Sequence, residues 1–191
     1  NYYKNRPNIN PVNYYKETKD YFDTNNYVTS REYYDGLGRV IQRKSATANA
    51  NEFTTVDISY DSQGRVARQS LPYITASIAY SSPELNQPAK TYTYDALDRV
   101  LTETTPTGVS SYQYNGWTTT ITDANSNRKD LSKDAYGNLT EVKEYNNDGN
   151  DIYTTNYEYS LTNKLKKITD SAGNIRNFSY GFECWNHFFG Q

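Results

Sequence analysis

The chain has 191 residues, and its 20 basic and 22 acidic side chains leave a formal charge of −2. With both signs interspersed, that balance argues against a nucleic-acid partner. A single Cys (Cys184) and a single His (His187) exclude a disulfide framework and a Cys/His zinc cluster, and no apolar run approaches the roughly 18–20 residues of a membrane span.

Leu, Ile, Val and Phe together make up less than a fifth of the chain. With a high net charge that share would indicate disorder; near neutrality it does not. The 21 tyrosines take up the apolar role, each burying a ring while its hydroxyl stays wet or hydrogen-bonded. Tyr and Thr favour strands, whereas Met is absent and Leu and Ala are sparse. An all-β protein with an aromatic core is expected. The start at Asn1 and the lack of any Met lead us to expect a piece of a longer polypeptide.

In chain order, residues 1–30 are rich in Asn and Tyr, and Asn1-Tyr2-Tyr3-Lys4 is echoed by Asn13-Tyr14-Tyr15-Lys16. Extended strands of a degenerate repeat are expected there. Residues 31–181 carry a recurring motif. Tyr34-Asp35-Gly36-Leu37-Gly38-Arg39-Val40 returns as Tyr60-Asp61-Ser62-Gln63-Gly64-Arg65-Val66, 26 residues on, and as Tyr94-Asp95-Ala96-Leu97-Asp98-Arg99-Val100, 34 further. Looser copies start at Asp134, with Gly137, and at Asp170, with Gly173; Tyr159-Ser160-Leu161-Thr162-Asn163 keeps the frame. Within this region residues 71–90 hold Pro72, Pro83 and Pro88, which interrupt ladder pairing. They predict a long loop crossing between hairpins. Frequent turn signals from Tyr92 onward predict a meander, and residues 182–191 read as a non-repeat tail.

Each motif reads as one antiparallel β-hairpin. Alternating rings, as at Tyr92 and Tyr94, share one strand face. The Asp accepts hydrogen bonds from the amides that follow and opens the turn. Gly three residues later suits the left-handed conformation of a type I turn with a bulge. Return strands place apolar residues three apart, as at Leu139/Val142 and Leu165/Ile168. That offset breaks strict alternation and predicts a bulge.

These copies resemble the YD-repeat (RHS-repeat) family and its Y-D-x-x-G-R motif, over roughly Tyr34 to Tyr180. The family spans bacterial RHS and polymorphic toxins, shell subunits of insecticidal toxin complexes, and teneurins. The resemblance implies an antiparallel β-hairpin repeat array, a strip spiralling into a shell or barrel that encloses a toxin-like cargo or supports adhesion. The self-cleavage region of toxin-type cores, with its paired aspartates, has no counterpart here, and the chain contains no Asp-Pro. The family's enzymatic residues therefore carry over to no position.

The candidate sites are mostly structural. Asp35, Asp61 and Asp95 repeat at every hairpin, as turn caps do, whereas catalytic carboxylates face one another across a single site. Asp123-x-Asn125-x-Asn127 opens like a calcium loop, but Arg128 stands where that loop needs Gly. The acceptors around Asp148-Gly149 are read more simply as a hairpin turn. Cys184 and His187 lack any nucleophile context. Trp117, following Asn115-Gly116, is the residue best placed to stack on a glycan, although filling the wall is the simpler role for a large aromatic.

The expected function is therefore a non-enzymatic structural module of a secreted or cell-surface shell, with no cofactor and no metal. Its partners would be further repeats of its own polypeptide and a toxin-like cargo. A glycan-binding adhesin is the alternative. Open sheet edges at either end would favour association.

Overall fold

A computed structural model describes residues 2–3, 14–146 and 152–180. The tail 182–191 with Cys184 and His187, the Asp148-Gly149 turn, and most of the stretch before Tyr14 lie outside the described residues. Every regular element among the described residues is a strand. The chain divides into two units, 1–110 and 111–191.

The first unit carries β1 (Tyr2–Tyr3), β2 (Tyr15–Tyr21), β3 (Tyr27–Tyr34), β4 (Val40–Ala46), β5 (Phe53–Tyr60), β6 (Val66–Ser70), β7 (Tyr73–Thr75), β8 (Ala89–Tyr94) and β9 (Val100–Thr105). These strands pair antiparallel in chain order, except that β7 pairs with β5 and β8 pairs with β6. The second unit holds most of β10 (Gly108–Asn115), then β11 (Thr118–Thr122), β12 (Arg128–Lys133), β13 (Leu139–Tyr145), β14 (Ile152–Tyr159), β15 (Leu165–Thr169) and β16 (Ile175–Asn177). From β11 on, each strand pairs antiparallel with the one before it.

Among the described residues the bulge signalled by the three-residue offset is present in five hairpins. In the first, Tyr33 faces Gln42 and Tyr34 faces Val40, so Ile41 is the extra residue. The same slip leaves Ala67, Leu101, Thr140 and Lys166 as extra residues. One added residue brings positions three apart onto one face. Tyr159 thus opposes Leu165 while Tyr157 opposes Ile168.

The core departs from the aromatic expectation. Among the described residues Tyr33 and Ile58 are the buried apolar ones, and they are joined by Gln42, Lys44, Thr55, Asp57 and Ser70. The motif tyrosines Tyr34, Tyr60 and Tyr94 are only half-buried. A sheet face stays half-open unless chain folds across it, and in the first unit residues 71–88 do so. This stretch, expected as a crossing loop over 71–90, folds back instead. Its β7 extends the ladder on β5, Ala89 and Lys90 already belong to β8, and the Leu71 N–H donates to the Pro88 carbonyl at 2.7 Å to close its base.

Candidate functional site: tyrosine–aspartate rungs and a strapped polar cluster

The turns share one construction. In the first, the Leu37 and Arg39 amides both donate to Asp35 Oδ1 at 2.9 Å, and Arg39 Nε donates to Asp35 Oδ2 at 2.7 Å. Asp61 and Asp95 repeat this with Arg65 and Arg99. At Asp134 and Asp170 an Asn takes the place of the Arg, with Asn138 and Asn174 Nδ2 donating to the second carboxylate oxygen. The fourth residue is left-handed throughout: φ is +78° at Gly38, +86° at Gly64, +62° at Asp98, +84° at Gly137, +61° at Asn163 and +82° at Gly173.

The sequence reading missed one such turn. The Asn125 and Asn127 amides donate to Asp123 Oδ1, Asn127 Nδ2 donates to Oδ2, and Ser126 takes the left-handed position at φ +68°. The calcium-like spacing there belongs to a turn whose carboxylate is already engaged. Among the described residues no group of three or more acidic, His or Cys side chains is placed to hold a metal ion.

These hydrogen bonds set the charge state of the turns. Partial burial opposes ionisation of Asp35, Asp61 and Asp95, and the amide and guanidinium donors outweigh it. All three carboxyls therefore sit below the usual carboxylate value. At Asp123, Asp134 and Asp170 the side-chain amide of the partner Asn is the leading cause of the same depression.

The motif's Tyr and Arg act between repeats. Tyr60 OH donates to the Val40 carbonyl at 2.8 Å, and the Arg39 guanidinium lies 4.4 Å over the Tyr60 ring. One repeat later Tyr94 OH donates to the Val66 carbonyl at 2.8 Å, with Arg65 at 4.6 Å over the Tyr94 ring. Arg65 also reaches the next turn, donating to the Asp95 carbonyl and to Asp98 Oδ1. Arg39 and Arg65 thus each close their own turn and roof the tyrosine of the following one. A guanidinium on an exposed ring contributes about 0.5–1 kcal/mol. In the second unit Arg128 covers Tyr145, whose hydroxyl donates to Asp130, and Lys164 covers Tyr180.

The second feature is the buried polar cluster under the strap 71–88. Asp57, 2% exposed, accepts from Gln42 Nε2 at 2.6 Å, Tyr73 OH at 2.7 Å and the Glu84 amide at 3.1 Å. Gln42 exchanges two further hydrogen bonds with the Ser81 backbone. Lys44, 1% exposed, donates to the Ser77 carbonyl at 3.0 Å and to Ser81 Oγ at 3.1 Å. Tyr33 OH donates to the Ile78 carbonyl, and Tyr80 sets its ring edge against Tyr33. Burial pulls the Lys44 pKa down, with the nearby Asp57 charge opposing it. Burial first, and the Asp57 hydrogen bond second, push the Tyr73 phenol up. A lysine sealed in this way, with its donors spent on the strap, is an anchor rather than a nucleophile.

Trp117 sits at the β10–β11 turn and is 64% exposed. The motif residues otherwise line up as turn and rung elements, with Asp61 and Asp98 both accepting from the Arg65 guanidinium.

A family described as Domain of unknown function (DUF6443) matches residues 7–93, the stretch that includes the first two rung turns, the polar cluster and the strap. No curated protein matches the sequence. Among solved structures, a crystal structure of TcdB2-TccC3-Cdc42 superposes with a TM-score of 0.68 at 18% identity, covering 86% of this chain and 10% of its own. A Photorhabdus luminescens Tc holotoxin pore carrying a mutated TccC3 gives 0.68 at 17% identity, covering 84% of this chain and 10% of its own. The fold is RHS/YD-repeat-like. This chain spans about a tenth of the length of those neighbours. In the RHS/YD-repeat-like strip the rungs run from hairpin to hairpin, while the strap is an insertion between β6 and β8.

Proposed function

We propose that the chain is a non-enzymatic wall segment of a secreted or cell-surface YD-repeat protein. Its hairpins continue into further repeats of the same polypeptide, and together they enclose or display a toxin-like segment. The observation that carries this reading is the rung: Tyr60 and Tyr94 are each held by a carbonyl and a guanidinium of the preceding repeat. A hairpin built in this way completes its neighbour rather than presenting a site of its own. The fold shared with structures of Tc toxin assemblies supports the reading.

The test begins with the intact mass of the native polypeptide, followed by limited proteolysis. A wall segment predicts a mass far above 22.0 kDa and a co-encoded segment that resists protease until the repeats are unfolded. A native mass equal to this chain alone would overturn the proposal. One observation favours a second reading, glycan binding: Trp117 and Tyr136 are exposed on neighbouring turns. Loss of polysaccharide binding in Trp117→Ala, with an unchanged melting temperature, would establish it.

A further inference from the structure

The chain has 21 Tyr, no Met and one Cys. Cys and Met sulfurs are common first targets of oxidants, and with so few of them oxidising equivalents fall largely on the aromatic rings. Four pairs of tyrosine rings lie close together among the described residues, and their surroundings differ. Tyr33 belongs to two of them, with Tyr15 at 5.5 Å and Tyr80 at 5.7 Å between ring centroids. It is 3% exposed, and its hydroxyl is spent on the Ile78 carbonyl. Tyr92 and Tyr94 stand 6.5 Å apart on one strand, both half-buried, with the Tyr94 hydroxyl fixed on the Val66 carbonyl.

Tyr21 and Tyr27 form the remaining pair. They oppose each other directly at the end of the β2–β3 ladder, with centroids 5.1 Å apart and ring planes at 51°. They are 63% and 41% exposed. Of the four pairs this is the closest, and in it both rings are open to solvent. Its geometry is set by the backbone, because opposed residues on antiparallel strands have Cβ atoms about 4.5–5.5 Å apart. The turn behind it is closed by the Phe22 N–H donating to the Asn26 carbonyl at 3.1 Å and by the Asn25 and Asn26 amides donating to Asp23 Oδ1. Lys19 holds the Tyr27 ring, with Nζ 4.5 Å from its centroid and donating to its hydroxyl at 3.2 Å.

We infer that Tyr21 and Tyr27 are a site of oxidative cross-linking, where a peroxidase acting with hydrogen peroxide couples the two phenols into a dityrosine staple across the hairpin end. Each phenol gives up one electron and its hydroxyl proton. The two tyrosyl radicals join through ring carbons beside the hydroxyls, and the hydrogens on those carbons return to the oxygens through water. The two electrons and two protons removed reduce one hydrogen peroxide to two waters. Exposure lets the oxidant reach either ring, and the fixed pairing lets a radical on one meet its partner in contact rather than by diffusion. The new carbon–carbon bond ties the two ends of the turn at 22–26, so β2 and β3 no longer separate from that end.

Treatment of the chain with a haem peroxidase and hydrogen peroxide, followed by tryptic digestion and mass spectrometry, tests it. Cleavage after Lys19 and Arg31 leaves both tyrosines in one peptide, 20–31. The expected product is that peptide lighter by two hydrogens, with no backbone fragments released between residues 21 and 27, and with dityrosine fluorescence. Tyr21→Phe and Tyr27→Phe keep the ring and remove the phenol, so each should abolish the product and most of the early fluorescence, with circular dichroism unchanged. Tyr136→Phe removes a phenol that is more exposed; it serves as the control and leaves the product intact. A 20–31 peptide that is unchanged or only oxygenated, whether or not dityrosine forms elsewhere or between chains, overturns the proposal. So does a product that persists in Tyr21→Phe, and so does an equal loss in the control.

Discussion

Asp61 shows how much one residue of the repeat does: it accepts two backbone amides and a guanidinium, and its folded pKa falls below the ordinary value. Asp35, Asp95, Asp123, Asp134 and Asp170 behave alike. A depressed carboxylate pKa gives stabilisation that is complete above the unfolded-state value, about 3.9, and that is lost as pH falls through the folded value. The melting temperature should hold a plateau above about pH 5 and fall steeply below about pH 4, with a shallower fall in Asp61→Asn. A profile as steep in the variant as in the wild type would remove the turn aspartates from the account. Gly64 offers a sharper test. Its φ is +86°, and an added Cβ would stand 3.2 Å from the Arg39 guanidinium, which is itself held over Tyr60. Gly64→Val should lose about 1–3 kcal/mol in chemical denaturation, and an unchanged midpoint would mean the turn does not need its left-handed residue. These turns were readable from sequence because Asp and Gly three residues apart form a local code. The Asp123 turn was not, since Ser126 takes the left-handed position with no glycine to mark it.

The strap is the element whose role the sequence concealed. Gln42 and Lys44 on β4, and Thr55 and Asp57 on β5, alternate as residues on a solvated strand face do. Their burial depends on residues 71–88 folding back across the sheet, which is a non-local event. Pro72, Pro83 and Pro88 marked that stretch as irregular but carried no information about what it would cover. Asp57→Ala should therefore be costly out of proportion to its size. It strips partners from Gln42, Tyr73 and the Glu84 amide, in a site sealed from water. Buried donors left unpaired cost about 1–3 kcal/mol each. Rapid cleavage within 76–88 by a broad-specificity protease is expected in the variant, with the wild type resistant. Equal cleavage rates would show that the strap is held by something other than this cluster. The bulges, by contrast, were legible, because an apolar offset of three in Leu139/Val142 and Leu165/Ile168 fits a strand only if one residue is extra.

At the scale of the whole molecule, the repeat spacing carries the argument. The motifs at Tyr34, Tyr60 and Tyr94 lie 26 and 34 residues apart, yet the Arg39–Tyr60 and Arg65–Tyr94 rungs have nearly the same geometry, 4.4 and 4.6 Å. Insertions such as the strap vary while the rung is kept. A strip can then lengthen indefinitely with its turn row intact, which is what a wall requires and a self-contained binding domain does not. The motif made the fold recognisable before any coordinates. The proposed cargo was not legible, because a lumen would be formed by repeats acting together and no single residue encodes it.

The most direct measurement is electron cryomicroscopy of the intact native polypeptide. The account predicts a hollow shell in which these hairpins form one stretch of wall, with neighbouring repeats hydrogen-bonded at both ends of the strip and density in the lumen. A free-standing domain with both strand edges in solvent and no enclosed space would contradict it.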